Sequence, residues 1–224
     1  MIIGSISEKK ELEKRVALVP DIIKKYTNLG FEVQILKGYG DHLGFSDESF
    51  NNVGAKIIST TDEVLKNSNV LIQLDLIGEN TFTLLNKETT LIGSFDSLQN
   101  MEKIKKLKSI GVNIFSLELL PRITRAQSMD ILSSQANLAG YKAVIEAFAY
   151  FQKAIPMMMT AAGTVPAAKV LVVGAGVAGL QAVATAKRMG AVVFATDVRM
   201  ASKEQVESLG GKFLTVEGAE NLET

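Results

Sequence analysis

Cysteine is absent from this chain of 224 residues, which excludes a disulfide framework, a thiolate metal site and a cysteine nucleophile. Histidine is almost absent. His42 is the single imidazole, and its loop-like surroundings (38–47, GYGDHLGFSD) read as surface, so no metal is expected. An excess of charge of either sign is also missing. The 24 basic and 24 acidic residues cancel, leaving no field to gather nucleic acid or anionic lipid. Nor is there a long uninterrupted apolar run. The stretch 154–186 has Lys169 as its only charge and the length to span a bilayer. Pro156, Gly163, Pro166, Gly174, Gly176 and Gly179 break it up. Charges in MIIGSISEKKELEKR fall where a signal peptide needs its apolar core, so a soluble chain is expected.

What is present is a dinucleotide-binding fingerprint in its proper setting. An apolar, buried strand over 170–173 runs into Gly174-Ala175-Gly176-Val177-Ala178-Gly179. A helical run follows, ending at Lys187, Arg188 and Gly190, and a second apolar strand over 191–196 finishes at Asp197. Each glycine has a physical task. Gly174 makes the tight turn, Gly176 lets the backbone approach a pyrophosphate, and Gly179 lets helix and strand pack closely. Backbone N–H groups at the helix start, aided by its dipole, suit phosphate. Asp197 can accept hydrogen bonds from both hydroxyls of an adenosine ribose and repels a 2′-phosphate. That favours NAD(H) over NADP(H). Val198 and Arg199 follow, and Arg199 is read as flanking the adenine or as solvated.

A hydrophobic content of 47% supplies core enough for one large domain or two small ones. Strands are predicted over 2–6, 31–36, 56–58, 70–74, 90–95 and 112–116. Helices are predicted over 21–29, 47–53, 62–66 and 99–109, with Gly30, Gly54 and Gly111 at helix C′ positions and Thr60 and Glu63 as a capping box. This alternation implies a mostly parallel sheet covered on both faces. A polar loop over 121–130 precedes a long helix over 134–152, whose apolar stripe is read as Leu138, Tyr141, Ile145 and Phe148. After Asp197, Ser202 and Gln205 are read as capping a helix that ends at Gly210, and 212–216 as a third strand. The fold class is α/β with two doubly wound parallel-sheet domains, a flavodoxin-like one and a Rossmann one with a single mononucleotide-binding half. The boundaries are 1–133 for the first domain, 134–153 for a connecting helix and 154–224 for the second.

The segment Glu13-Lys-Arg15-Val-Ala-Leu-Val-Pro20 resembles the alanine dehydrogenase and nicotinamide nucleotide transhydrogenase superfamily. The runs 121–145 and 156–199 are similar specifically to the NAD(H)-binding components of proton-translocating transhydrogenases. That resemblance implies that Arg122, Asp130 and Ser133 hold the nicotinamide end of NAD(H). It also implies that Gln127 projects toward NADP(H) on a partner domain, with Tyr141 close by. A homodimer docked on membrane-spanning and NADP(H)-binding subunits, at the cytoplasmic face of the inner membrane, is implied in the same way.

Alanine dehydrogenases share this resemblance but carry a lysine and a histidine on the first domain for acid–base work. Here Gln73 and Asp96 stand at about those places, while Arg15, a carboxylate clamp common to both branches, is retained. Hydride transfer between two nicotinamides moves no such proton and needs chiefly positioning. A soluble amino-acid dehydrogenase and a non-catalytic NAD-binding module are the alternative readings.

Overall fold

A computed structural model describes residues 1–121 and 123–215. The chain divides into two compact units, 1–130 and 131–224.

The first unit is built on six parallel strands: β1 (Ile2–Ser5), β2 (Glu32–Leu36), β3 (Ala55–Ile58), β4 (Val70–Ile72), β5 (Thr90–Gly93) and β6 (Asn113–Ser116). They lie in the order β3-β2-β1-β4-β5-β6. The doubly wound parallel class is the expected one, but this order is that of a six-stranded dinucleotide-type sheet and departs from the flavodoxin-like 2-1-3-4-5. Side-chain alternation along a strand sends neighbours to opposite faces, and two cores result. Ile3, Val33 and Ile35 pack with Ile23 of α1 (Pro20–Asn28) and Phe50 of α2 (Asp47–Asn51). Leu71 and Leu91 pack with Val64 and Leu65 of α3 (Thr61–Asn67) and Leu107 of α4 (Met101–Ile110). The predicted cap holds: the Glu63 N–H donates to Thr60 Oγ1 at 3.3 Å and the Thr60 hydroxyl to Glu63 Oε2 at 3.1 Å. Such a cap stabilises a helix by about 1 kcal/mol. The polar loop before residue 130 contains a 3-10 helix, Thr124–Met129.

The second unit opens with α5 (Ile131–Tyr150), three residues ahead of the predicted start, so the division of the chain falls at the start of the helix rather than at 133. Its buried stripe is Gly140 and Val144, with Phe148 partly buried. Leu138 and Tyr141, placed on that stripe by sequence, are 55% and 49% exposed. The reason is the neighbour: α5 packs on α6 (Val177–Arg188), and at Gly140 an added Cβ would lie 2.0 Å from the Ala178 carbonyl oxygen.

A two-residue loop joins β7 (Met158–Thr160) to β8 (Gly163–Val165), an antiparallel hairpin that the sequence pattern does not predict. The parallel strands β9 (Lys169–Val173), β10 (Val192–Thr196) and β11 (Lys212–Phe213) form the sheet, in the order β11-β10-β9. This is the arrangement of one mononucleotide-binding half. Only one face of β9 is buried. Val170 and Val172 pack into the core, while Leu171 and Val173 are 58% and 78% exposed. Of the apolar strand expected to be buried, the alternate residues Val170 and Val172 pack into the core of this unit. The helix α7 (Ser202–Ser208) has Ala201 at its N-cap and no side-chain cap bond, so Ser202, expected there, is instead the buried first residue of the helix. The third strand is shorter than predicted, and Val216 lies outside the described residues.

Candidate functional site

The fingerprint glycines separate into three physical cases. Gly174 has φ +92°, a left-handed conformation that L side chains rarely adopt. At Gly179, a Cβ would come within 1.8 Å of the Gly174 carbonyl oxygen, so the first turn of α6 can lie against the loop only without a side chain. Gly176 is different. Its φ is −77°, and the nearest atom to an added Cβ is Arg199 Nη2 at 3.9 Å. Nothing in the protein itself requires glycine there. The space in front of that backbone is open, and it adjoins the N-terminus of α6, whose first N–H groups lack partners within the helix. Gly176 is the N-cap residue and offers no side chain to satisfy them. This cradle fits a phosphate-bearing group.

Asp197 closes β10 and turns back onto the loop. Its Oδ2 accepts the Ala175 N–H at 2.6 Å, and its Oδ1 accepts the Arg199 N–H at 2.8 Å. The Arg199 side chain adds two bonds, Nε to Oδ1 at 3.1 Å and Nη2 to Oδ2 at 3.2 Å. The carboxylate side chain is 6% exposed and that of Arg199 51%. The Arg199 guanidinium holds the Asp197 carboxyl far below the usual range, with the two backbone donors assisting against burial. Arg199, read from the sequence as flanking the adenine or as solvated, is half exposed and paired with Asp197. Val198, between them, is 56% exposed.

The other predicted residues fall as follows. Arg122 lies outside the described residues. Gln127 is exposed in the 3-10 helix of the first unit, and its carbonyl accepts the Asp130 N–H at 3.2 Å. Ser133 and Tyr141 belong to α5, on the second unit, with the glycine-rich loop and Asp197.

At the C-terminal end of β1 and β4, where the strand order reverses, doubly wound sheets place ligands. The first unit fills this place with its own side chains. Gln73 is 2% exposed. Its Oε1 accepts from the Ile6 N–H at 2.7 Å and the Ser5 hydroxyl at 3.0 Å, and its Nε2 donates to the Ile6 carbonyl and Glu8 Oε1, both at 3.1 Å. Both amide hydrogens are thus used, and the one Ser5 hydroxyl hydrogen is shared between this oxygen and the Ile72 carbonyl at 2.7 Å. Glu8 also accepts the Leu74 N–H at 2.7 Å, and burial pushes its carboxyl above the usual range. Arg15 forms a two-point pair with Glu13, Nε to Oε1 at 2.8 Å and Nη2 to Oε2. Asp96 is exposed at φ +45°, and its carbonyl accepts from Gln99 and Asn100 at the start of α4. His42 Nε2 bonds the Lys14 carbonyl at 2.8 Å, a structural tie between two surface segments. Sequence did not single out Ser5, Glu8 or Tyr39 as members of this network; the Tyr39 hydroxyl lies 2.8 Å from Ser5 Oγ and accepts the Leu18 N–H at 3.1 Å.

A strand, a glycine-rich turn, a helix and an acid at the next strand's end define a Rossmann-type nucleotide-binding half. Residues 4–139 match the alanine dehydrogenase/PNT N-terminal domain and residues 143–223 the alanine dehydrogenase/PNT C-terminal domain. The chain belongs to this family. It is 49% identical over 222 residues to an NAD(P) transhydrogenase alpha subunit of Rhodospirillum rubrum, covering 97% of this chain and 58% of that protein. The transhydrogenase of Sinorhizobium meliloti has a solved structure that superposes with a TM-score of 0.90 at 46% identity, covering 96% of this chain and 64% of that one. Alanine dehydrogenase of Mycolicibacterium smegmatis is 27% identical over 219 residues, covering 96% of this chain and 58% of that enzyme. The chain thus spans about three-fifths of the length of the relatives it matches.

Proposed function

We propose that this chain is the NAD(H)-binding part of a proton-translocating transhydrogenase, donating hydride to NADP⁺ held on a partner subunit. The observation that carries the reading is the pairing of an open backbone at Gly176 with a carboxylate held at the end of β10. In this reading Gly174, Ala175, Gly176, Val177, Ala178 and Gly179 line the pyrophosphate, Asp197 takes the adenosine ribose, Arg199 flanks the adenine and Val198 lies between them in the chain. Arg122, Asp130 and Ser133 hold the nicotinamide amide, with Tyr141 nearby. When bound, the nicotinamide supplies the hydride; the chain's role is to orient the ring and exclude water. Gln127, exposed in its 3-10 helix, meets the second nucleotide. The homodimer, the membrane-spanning and NADP(H)-binding partner subunits and the cytoplasmic membrane face belong to the same proposal.

Amino-acid oxidation is disfavoured by Gln73. A buried neutral amide bonded within the fold to Ile6 and Glu8 neither clamps a keto acid nor moves a proton. Reconstitution with NADP(H)-binding transhydrogenase subunits tests the proposal. NADH-dependent reduction of NADP⁺ is expected, together with no ammonia-dependent oxidation of NADH on several keto acids. Gln127→Asn should slow the transfer without weakening NADH binding. Keto-acid turnover without NADP⁺ reduction would contradict the proposal, and wild-type transfer in the variant would remove Gln127 from it.

A further inference from the structure

An ionised carboxylate accepts hydrogen bonds at about four lone-pair positions. In Asp197 all four are taken, two by the backbone N–H groups of Ala175 and Arg199 and two by the Arg199 side chain. A ribose diol needs two acceptors on the same carboxylate. The backbone donors are fixed by the turn and by the Gly174 N–H bond to the Thr196 carbonyl at 2.8 Å, so they hold the carboxylate in place whichever group approaches. The side-chain donors are the removable ones, because half of the Arg199 side chain lies in solvent. The guanidinium also lies over the open backbone, 3.9 Å from where a Cβ on Gly176 would be.

We propose that Arg199 is an internal competitor for the ribose-binding carboxylate: it occupies two of the Asp197 acceptor positions that a ribose diol needs and must leave for the adenosine ribose to bind. The inference rests on the NAD(H) reading above and goes beyond it, since it assigns Arg199 a cost rather than a contact. It carries a second consequence. A guanidinium released from Asp197 stays beside the 2′ position of the ribose, where it softens the repulsion between Asp197 and a 2′-phosphate. Arg199 therefore both weakens NADH binding and narrows the preference for NADH over NADPH.

The test is a titration of wild type, Arg199→Ala and Arg199→Gln with NADH and with NADPH, followed by reduced-nicotinamide fluorescence. A half-exposed ion pair contributes little, so both variants should bind NADH about two- to fivefold more tightly than wild type. NADPH binding should not tighten, and the ratio of the two affinities should widen. In an Asp197→Asn background the same removal of Arg199 should give no gain, because the competition is for the carboxylate. Unchanged or weaker NADH binding by both folded single variants, or an equal gain in the Asp197→Asn background, would overturn the inference and leave NAD(H) binding standing. Absence of saturable NADH binding by the wild type would instead bring down the cofactor reading and the inference with it.

Discussion

The backbone N–H of Ala175 donates to Asp197 Oδ2 at 2.6 Å, so the acid at the end of β10 also fastens the glycine-rich loop at the end of β9. Hydrogen bonds to charged groups are worth about 1.5–3 kcal/mol. Asp197→Ala should therefore lower stability in urea by about that amount as well as weakening NADH binding and narrowing its advantage over NADPH. An unchanged unfolding midpoint would show that the loop holds its shape without the carboxylate, and an unchanged affinity ratio would remove Asp197 from the ribose.

The glycines of the fingerprint should give opposed phenotypes. Gly179→Ala places a Cβ 1.8 Å from the Gly174 carbonyl oxygen, so backbone must move and the second unit should unfold at lower denaturant. Gly176→Ala meets no atom closer than 3.9 Å. It should leave stability nearly unchanged, within about 0.5 kcal/mol, while cutting NADH affinity. Equal stability losses in the two variants would contradict a cradle shaped for an external group.

Gln73 should behave as a structural staple. Gln73→Leu leaves the Ile6 N–H and carbonyl without their side-chain partner in a buried place, costing about 1–3 kcal/mol per unsatisfied group. Gln73→Lys buries an ammonium there and should be destabilising too, without creating alanine oxidation. A stable Gln73→Lys protein that oxidises alanine with NAD⁺ would mean that the first unit retains a substrate site.

Two carboxylates should act on stability with opposite signs. Burial raises the folded Glu8 above its unfolded value, with Asp75 and Glu13 as like charges nearby. Its contribution is present below the ordinary carboxylate range and is lost as pH rises through the raised value. Glu8→Gln should therefore gain stability over wild type near neutrality and lose that gain in acid. The folded Asp197 is lowered, chiefly by its bond to Arg199. It stabilises above the ordinary range and the contribution fades as pH falls toward the lowered value, so Asp197→Asn should flatten the acid limb. Urea unfolding of the three proteins at about pH 7, about pH 4 and about pH 2 checks both signs, Glu8 between the first two and Asp197 between the last two.

What was legible in the sequence was what local chemistry dictates. The turn at Gly174, the acid at Asp197 and the cap at Thr60 each depend on a few neighbouring residues, and they stand within a residue or two of their predicted places. What was hidden depends on partners distant in sequence or on the shape of a turn. The bonds of Gln73 reach residues 65 to 68 positions away, and no periodicity reports them. Leu138 and Tyr141 satisfy an apolar stripe as well as Gly140 and Val144 do, until α6 chooses the face by packing on glycine. The Met158–Val165 hairpin has exposed residues throughout, so it lacks the inside–outside alternation that marks a strand. Arg199 reaches Asp197 only because the turn after β10 folds back, which no spacing rule states. The same turn makes Arg199 a competitor rather than a bystander.

Asp197 and the open backbone at Gly176 are proposed to select NAD(H). A side-by-side titration of the unmodified chain with NADH and NADPH, read by nicotinamide fluorescence, decides this selectivity. Saturable NADH binding with much weaker NADPH binding is the predicted result. Equal affinity for the two, or a preference for NADPH, would contradict the account.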